Sequence, residues 1–306
     1  EEVIKKINRL KEILANERLL LNVIKEEMLI IKENYADERR TEISMVTTEI
    51  DIDDLIDEED IVVTVTHKGY TKRLPVDTYK SQRRGGRGIS GLTTRGISAL
   101  TTREEDFVKH LVSTTTHSKL LFFTNKGRVF RLNAYEIPEG KRQAKGTAIG
   151  NLLQLGPNEK IATLLAIDEK DDNKYLLLAT KNGIVKKTDR EEFKNINKAG
   201  LIAIGLREDD ELIGVKVTDG NKDVLLVTKE GMSIRFDEND IRPMGRSAMG
   251  VKGITLSNDD KVVSMSLCEE GTDVLVVSEN GFGKRTDINE YRTQIRAGKG
   301  IKTYNI

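Results

Sequence analysis

Two hydrophobic periods divide the chain. Over residues 1–34 the apolar positions recur every three or four residues. Ile7, Leu14, Leu21 and Met28 fall at one heptad position and Val3, Leu10, Ile24 and Ile31 at the other, with Glu17 the single polar interruption. A helix packed on a globular core shows a wider apolar face, so this narrow stripe predicts one long helix whose seam takes a second helix. No other heptad run follows in the sequence, which places that partner in another chain or in a segment upstream. The stretch "ADERRTEI" (36–43) ends the helix, giving a helical element over 1–42, and the acid-rich "EIDIDDLIDEED" (49–60) marks a connector over 43–60.

From residue 61 to 306 the period shortens to that of strands, and one unit recurs five times: "TVTHKGYTKR", "FFTNKGRVFR", "LATKNGIVKK", "LVTKEGMSIR" and "VVSENGFGKR". Each is an apolar β-rich run, a Thr or Ser, two polar residues, a glycine and a second strand. A four-residue hairpin turn drives its last position to positive φ, where Gly69, Gly127, Gly183, Gly231 and Gly281 avoid the Cβ clash. The hydroxyls of Thr66, Thr124, Thr180, Thr228 and Ser278, three residues earlier, are placed to cap each turn. The glycines are 58, 56, 48 and 50 residues apart, the length of a four-stranded blade, so the expected fold is mainly β and propeller-like.

Four residues after each glycine stands a cation: Arg73, Arg131, Lys187, Arg235 and Arg285, with Lys72, Lys186 and Lys284 beside three of them. On radially arranged blades these form a band around the rim, and Arg128 and Lys145 are counted with it. A second register runs through the same units. Nineteen residues after the hairpin glycine comes another, Gly88, Gly146, Gly250 and Gly300, while the third copy is two residues shorter and gives Gly200. Arginine precedes it by four residues at Arg84, Arg142, Arg246 and Arg296, and Ile196 departs from the pattern.

Charge sharpens the picture. Fifty Lys and Arg balance fifty Asp and Glu, yet residues 1–60 carry a net −9 (9 − 18), residues 61–150 a net +11 (17 − 6) and residues 151–306 a net −2 (24 − 26). A positive field so concentrated points to a polyanion. Its centre is "SQRRGGRGISG" (81–91), the first unit's edition of the second register, enriched by Gln82, Arg83, Gly85, Gly86 and Arg87. Gly86, Gly88 and Gly91 spell G-x-G-x-x-G, but no buried strand precedes them and no helix follows, which excludes a dinucleotide turn. Glycines here let the backbone approach a phosphate chain while Arg83, Arg84 and Arg87 donate forked hydrogen bonds to it. The lone Cys268 excludes a disulfide framework, and the scattered His67, His110 and His117 lack ligand spacing, so no metal is expected. No apolar run is long enough to cross a bilayer, and a cytoplasmic protein is expected.

The stretch "QRRGGRG" (82–88) resembles the box motif of the DNA gyrase A C-terminal domain family, and the five units resemble that family's six-bladed β-pinwheel. The helix through "ADERRTEI" is similar to the end of the coiled coil that joins this domain to the breakage-reunion core. The resemblance implies non-sequence-specific wrapping of double-stranded DNA in support of ATP-dependent negative supercoiling, near the bacterial nucleoid. It implies Gln82 to Gly88 and Arg95 as DNA contacts, alongside the rim cations. It implies no catalysis by this chain itself, because the DNA-linking tyrosine lies upstream of the coiled coil. ATP and Mg are used elsewhere in the enzyme. The implied partners are the breakage-reunion domain and the gyrase B protein in an A2B2 assembly, with no membrane. Two departures stand out: the tandem "RGISGLTT" and "RGISALTT" (87–102), which adds Arg95, and a fifth unit beyond which the family continues into a sixth. A pinwheel of the topoisomerase IV type, or a propeller serving as a protein-interaction module, are the alternatives.

Overall fold

A computed structural model of the protein describes residues 1–37, 55–78, 106–141, 144–167, 174–257, 259–268 and 273–305. Two compact units emerge, Glu1–Asp51 and Ile52–Ile306. In the first, the heptad stripe forms two helices where the periodicity predicts one: α1 (Glu2–Ala15) and α2 (Glu17–Tyr35). Asn16 separates them. It is extended (φ −127°, ψ 103°), and its side chain accepts the Arg18 N–H, capping α2. Glu17, the residue that interrupts the stripe, is therefore the first residue of a new helix, where the helix dipole favours a carboxylate. No residue of either helix is buried. Most of the connector lies outside the described residues, but its end is held by Thr116, whose hydroxyl donates to the Asp57 carbonyl at 2.8 Å and accepts from the Glu59 N–H at 3.1 Å.

The second unit is built of short strands. The first repeat contributes β1 (Asp60–Thr66), β2 (Tyr70–Pro75) and β3 (Val108–Thr115). The second contributes β4 (Lys119–Thr124), β5 (Arg128–Asn133), β6 (Thr147–Ala148) and β7 (Ile161–Ile167). The third adds β8 (Tyr175–Thr180), β9 (Ile184–Asp189), β10 (Leu201–Ile202) and β11 (Leu212–Thr218). The fourth adds β12 (Asp223–Thr228), β13 (Met232–Asp237), β14 (Val251–Lys252) and β15 (Val262–Cys268), and the fifth β16 (Asp273–Val277), β17 (Gly283–Asp287) and β18 (Ile301–Lys302). All five hairpins form where the repeats place them. Each turn glycine has positive φ, between 73° and 82°. Each Thr or Ser hydroxyl accepts the N–H of the residue after that glycine, as Thr124 does from Arg128 at 3.3 Å.

The sheets show what periodicity hides. Their strand orders are β3-β1-β2-β6, β10-β5-β4-β7, β11-β8-β9-β14 and β15-β12-β13-β18, all paired antiparallel. Three strands of each blade come from one repeat, and the fourth, only two residues long, is supplied by the next repeat along the chain. Among the described residues β16 and β17 pair only with each other.

Packing repeats in the same way. Along β4, Leu120 and Phe122 enter the core shared with the first blade, while Leu121 and Phe123 enter the core shared with the third. Similarly Leu176 and Leu178 face backward and Leu177 and Ala179 forward. Full burial of such side chains stabilises by about 1.5–3 kcal/mol each. Blades two to four are thus covered on both faces by their neighbours. The forward face of the fifth hairpin is open among the described residues, with Leu275 68% exposed and open space where a Cβ on Gly281 would lie.

Candidate nucleic-acid interface

The second glycine register marks the loops that lead into the exchanged strands. Gly146, Gly200, Gly250 and Gly300 all have positive φ, from 77° to 95°. A Cβ on Gly250 would lie 2.5 Å from the Val185 carbonyl oxygen, and one on Gly300 2.2 Å from that of Ser233. Only glycine lets the loop lie on the preceding blade closely enough for its next two residues to pair.

Successive loops are joined edge to edge. The guanidinium of Arg128 donates to the Gln154 carbonyl of its own repeat and the Ala199 carbonyl of the next. Gly205 N–H reaches the Ala248 carbonyl, and Ala297 N–H the Gly253 carbonyl. Thr255 donates its N–H to the Gly298 carbonyl and its hydroxyl to that of Ala297, and Arg296 reaches back to the Lys252 carbonyl at 2.8 Å. The result is a continuous row of loops running from blade to blade.

Four of the five cations that stand four residues after the hairpin glycines bond across to the next repeat. Arg73 donates to the Ile137 carbonyl (2.8 Å), Arg131 to Lys194 (2.7 Å), Lys187 to Glu238 (3.0 Å) and Arg235 to Ile288 (3.0 Å). Every acceptor belongs to the short 3-10 turn, or its end, that follows the hairpin of the next repeat. These side chains staple one blade to the next. Lys187 is buried, with its ammonium 5.3 Å from the Tyr175 ring centroid, and Arg235 also pairs with Asp223 at 2.7 Å. Lys72, one position earlier, is buried and donates to the Lys141 and Ala144 carbonyls. Arg128 pairs with the buried Glu159 at 2.9 Å and lies over Phe130. Of the expected band, Lys72 and Lys187 are buried, while Arg73, Arg128 and Arg235 are half-buried and hydrogen-bonded within the fold. The physical reason is that the next repeat packs against each of these hairpins, so the side chain meets carbonyls of its 3-10 turn. Arg131 stays exposed despite its bond, and Arg285, 77% exposed, meets only Asp273 among the described residues at 3.1 Å.

The row of loops and the exchanged strands also carry exposed positive charge. Lys145 is exposed, its ammonium 3.9 Å above the Tyr70 ring. Lys141, Lys198, Lys252, Lys299 and Lys302 are also exposed. Sequence reasoning picks out only Lys145 of these, although the second glycine register marks all of them. The arginines of that register are not free: Arg246 faces Glu192 at 3.4 Å, and Arg296 holds the neighbouring loop. Gln82, Arg83, Arg84, Gly85, Gly86, Arg87, Gly88 and Arg95 lie outside the described residues, as does Arg142. Burial lowers the pKa of Lys186 to about 8, with Glu192 raising it and Arg246 lowering it, and burial also lowers that of Lys72. No helix among the described residues is long and apolar enough to cross a membrane.

A family model described as the DNA gyrase C-terminal domain, beta-propeller, matches residues 60–115, 118–168, 174–219, 222–269 and 272–306. The chain belongs to this family. It is 53% identical over 252 residues to the DNA gyrase A protein of Clostridium acetobutylicum, covering 82% of this chain and 29% of that protein. It is 47% identical over 256 residues to the DNA gyrase A protein of Staphylococcus aureus, covering 83% and 28%. The chain thus spans under a third of the length of the curated relatives it matches. Among solved structures, a DNA gyrase A C-terminal domain aligns with TM-score 0.61 at 30% identity, covering 79% of this chain and 76% of the other. A topoisomerase IV C-terminal domain aligns with TM-score 0.65 at 30% identity, covering 81% and 73%. Mainly β architecture, four-stranded blades and gyrase membership are as the repeats and the box imply.

Proposed function

We propose that this chain binds duplex DNA without sequence preference and bends it along the row of loops, as the wrapping domain of a gyrase A protein. One observation supports the reading most: exposed lysines sit on loops hydrogen-bonded in succession from blade to blade, so their charges follow an arc fixed by the fold. A stiff duplex bent along that arc costs about 1–6 kcal/mol per 40–90° over 20–30 base pairs, and charge neutralisation offsets it. The described residues of the second unit hold strands and 3-10 turns with no α-helix to read base edges, so contacts to the phosphates position the DNA. In this reading strand cleavage and ATP turnover belong to the rest of the enzyme, namely the breakage-reunion domain and the gyrase B protein of an A2B2 assembly. The apolar stripes of α1 and α2 pair with another helix of that assembly in the bacterial cytoplasm.

Binding is measured on duplex DNA over a range of salt concentrations, in EDTA and without nucleotide. If Lys145, Lys198, Lys252, Lys299 and Lys302 each meet a phosphate, the slope of log K against log[salt] is roughly −4 to −5, and Arg83, Arg84 and Arg87 steepen it. Relaxed nicked plasmid sealed in the presence of the chain should show a changed linking number. A flat salt response with unchanged topology would sink the proposal in favour of a protein-binding propeller.

A further inference from the structure

The alternation of side chains beneath successive loops is not explained by DNA contact. Three residues after the hairpin glycine stand Lys72, Phe130, Lys186 and Ile234, in that order. Each lies under the loop given by the next repeat: a Cβ on Gly146 would sit 3.3 Å from the Lys72 Cβ, one on Gly200 2.7 Å from the Phe130 ring, one on Gly250 3.1 Å from the Lys186 Cβ and one on Gly298 3.4 Å from Ile234. In the second and fourth blades the support is apolar. In the first and third it is a buried ammonium that collects loop carbonyls, Lys72 those of Lys141 (3.3 Å) and Ala144 (3.0 Å), and Lys186 those of Ala203 (2.8 Å) and Arg246.

Resting on the wrapping reading above, we propose that Lys72 is a positioning residue that holds Lys141 and Ala144 by their carbonyls so that Lys141 and Lys145 face outward, and that it does not itself touch DNA. Only 2% of Lys72 is exposed, which leaves no room for a phosphate. Burial lowers its pKa, because desolvation penalises an ammonium. What the ammonium provides is geometry. Three donors on one nitrogen gather carbonyls from the two ends of the loop. With the Lys141 and Ala144 carbonyls drawn inward, the Lys141 and Lys145 side chains stay exposed, and Lys145 packs over Tyr70.

The test uses the full chain and a short linear duplex. Lys72→Met keeps the stem and removes the donors. It should raise amide exchange over residues 144–149 at least tenfold while residues 120–123 stay protected. It should also lower duplex affinity on the order of tenfold at 0.1 M salt and make the salt slope shallower by about 1 to 2. Because Lys72 acts through Lys145, adding Lys145→Ala to Lys72→Met should cost clearly less than Lys145→Ala alone. Lys72→Arg retains a charged donor and should restore affinity to within about threefold. Unchanged affinity in Lys72→Met, or losses that simply add in the double variant, overturns the proposal. Should Lys72→Met unfold the first blade, Lys72→Arg decides: loop protection restored without affinity overturns the proposal, and both restored together supports it. An unaltered chain that fails to bind duplex defeats the wrapping reading itself, and the clasp is then judged by loop exchange alone.

Discussion

The hairpin strands and the exchanged-strand loops both carry cations at fixed register, yet the two sets do opposite things. On the hairpins, Arg73, Arg131, Lys187 and Arg235 point at carbonyls of the next repeat, and two of those side chains reach across 63 and 64 positions of sequence. On the loops and exchanged strands, Lys145, Lys198, Lys252, Lys299 and Lys302 face solvent. Regular spacing alone does not distinguish a ligand surface from a joint, because a repeated joint demands regularity as strictly as a repeated contact does. The partner separates them, a carbonyl of the next repeat in one case and solvent in the other.

Three experiments bear on this contrast. The largest effect is expected at the first repeat's loop: replacing Arg83, Arg84 and Arg87 with Ala should abolish wrapping, read as loss of the linking-number change, while the melting temperature stays within a few degrees. Retained writhe would place the ligand surface elsewhere. Next, Arg235→Ala removes bonds to Asp223 and to the Ile288 and Tyr291 carbonyls, and should cost about 2–3 kcal/mol of stability in denaturant melts. Its exposed counterpart Arg285 should tolerate Ala within about 0.5 kcal/mol. Equal costs would mean that the staple adds nothing. The smallest effect is a pH dependence. Lys186 has a folded pKa near 8 and an ordinary value of 10.5, so between these the unfolded chain binds more protons and stability rises with pH. Lys72 and Lys109 act in the same direction. Cys268, held by burial near 11 against an ordinary 9.0, opposes the trend above pH 9. From pH 8 to 9 the unaltered chain should gain on the order of 1 kcal/mol, and Lys186→Met should flatten that rise.

Much of the architecture is legible in the sequence because it is local. Glycine at the end of a four-residue turn and a hydroxyl three positions before it are constraints within one hairpin, and all five hairpins appear. The second glycine register is legible too, but its meaning is not. A two-residue strand has no periodicity to detect, so nothing in "GTAI" or "GVKG" announces pairing with a hairpin many residues earlier. The hairpin cations mislead because equal spacing on radial blades suggests a common rim, when the next repeat's 3-10 turn takes up four of the five side chains. At the N-terminus the heptad count runs through Asn16, although Asn followed by Glu is a sound signal for a new helix start. The box residues on which the functional reading leans are legible only as sequence, since they lie outside the described residues.

The borrowing of one short strand by each sheet has a genetic corollary. The seam between neighbouring repeats runs through each of the four-stranded sheets, as in brickwork laid in running bond, so no single cut in the chain frees one of them whole. Gain or loss of one full period, wherever its endpoints fall, rejoins donor to acceptor and leaves each surviving sheet complete. Arrays built this way can change their number of turns, and with it the sweep of whatever lies along them, in whole steps and without redesigning any joint.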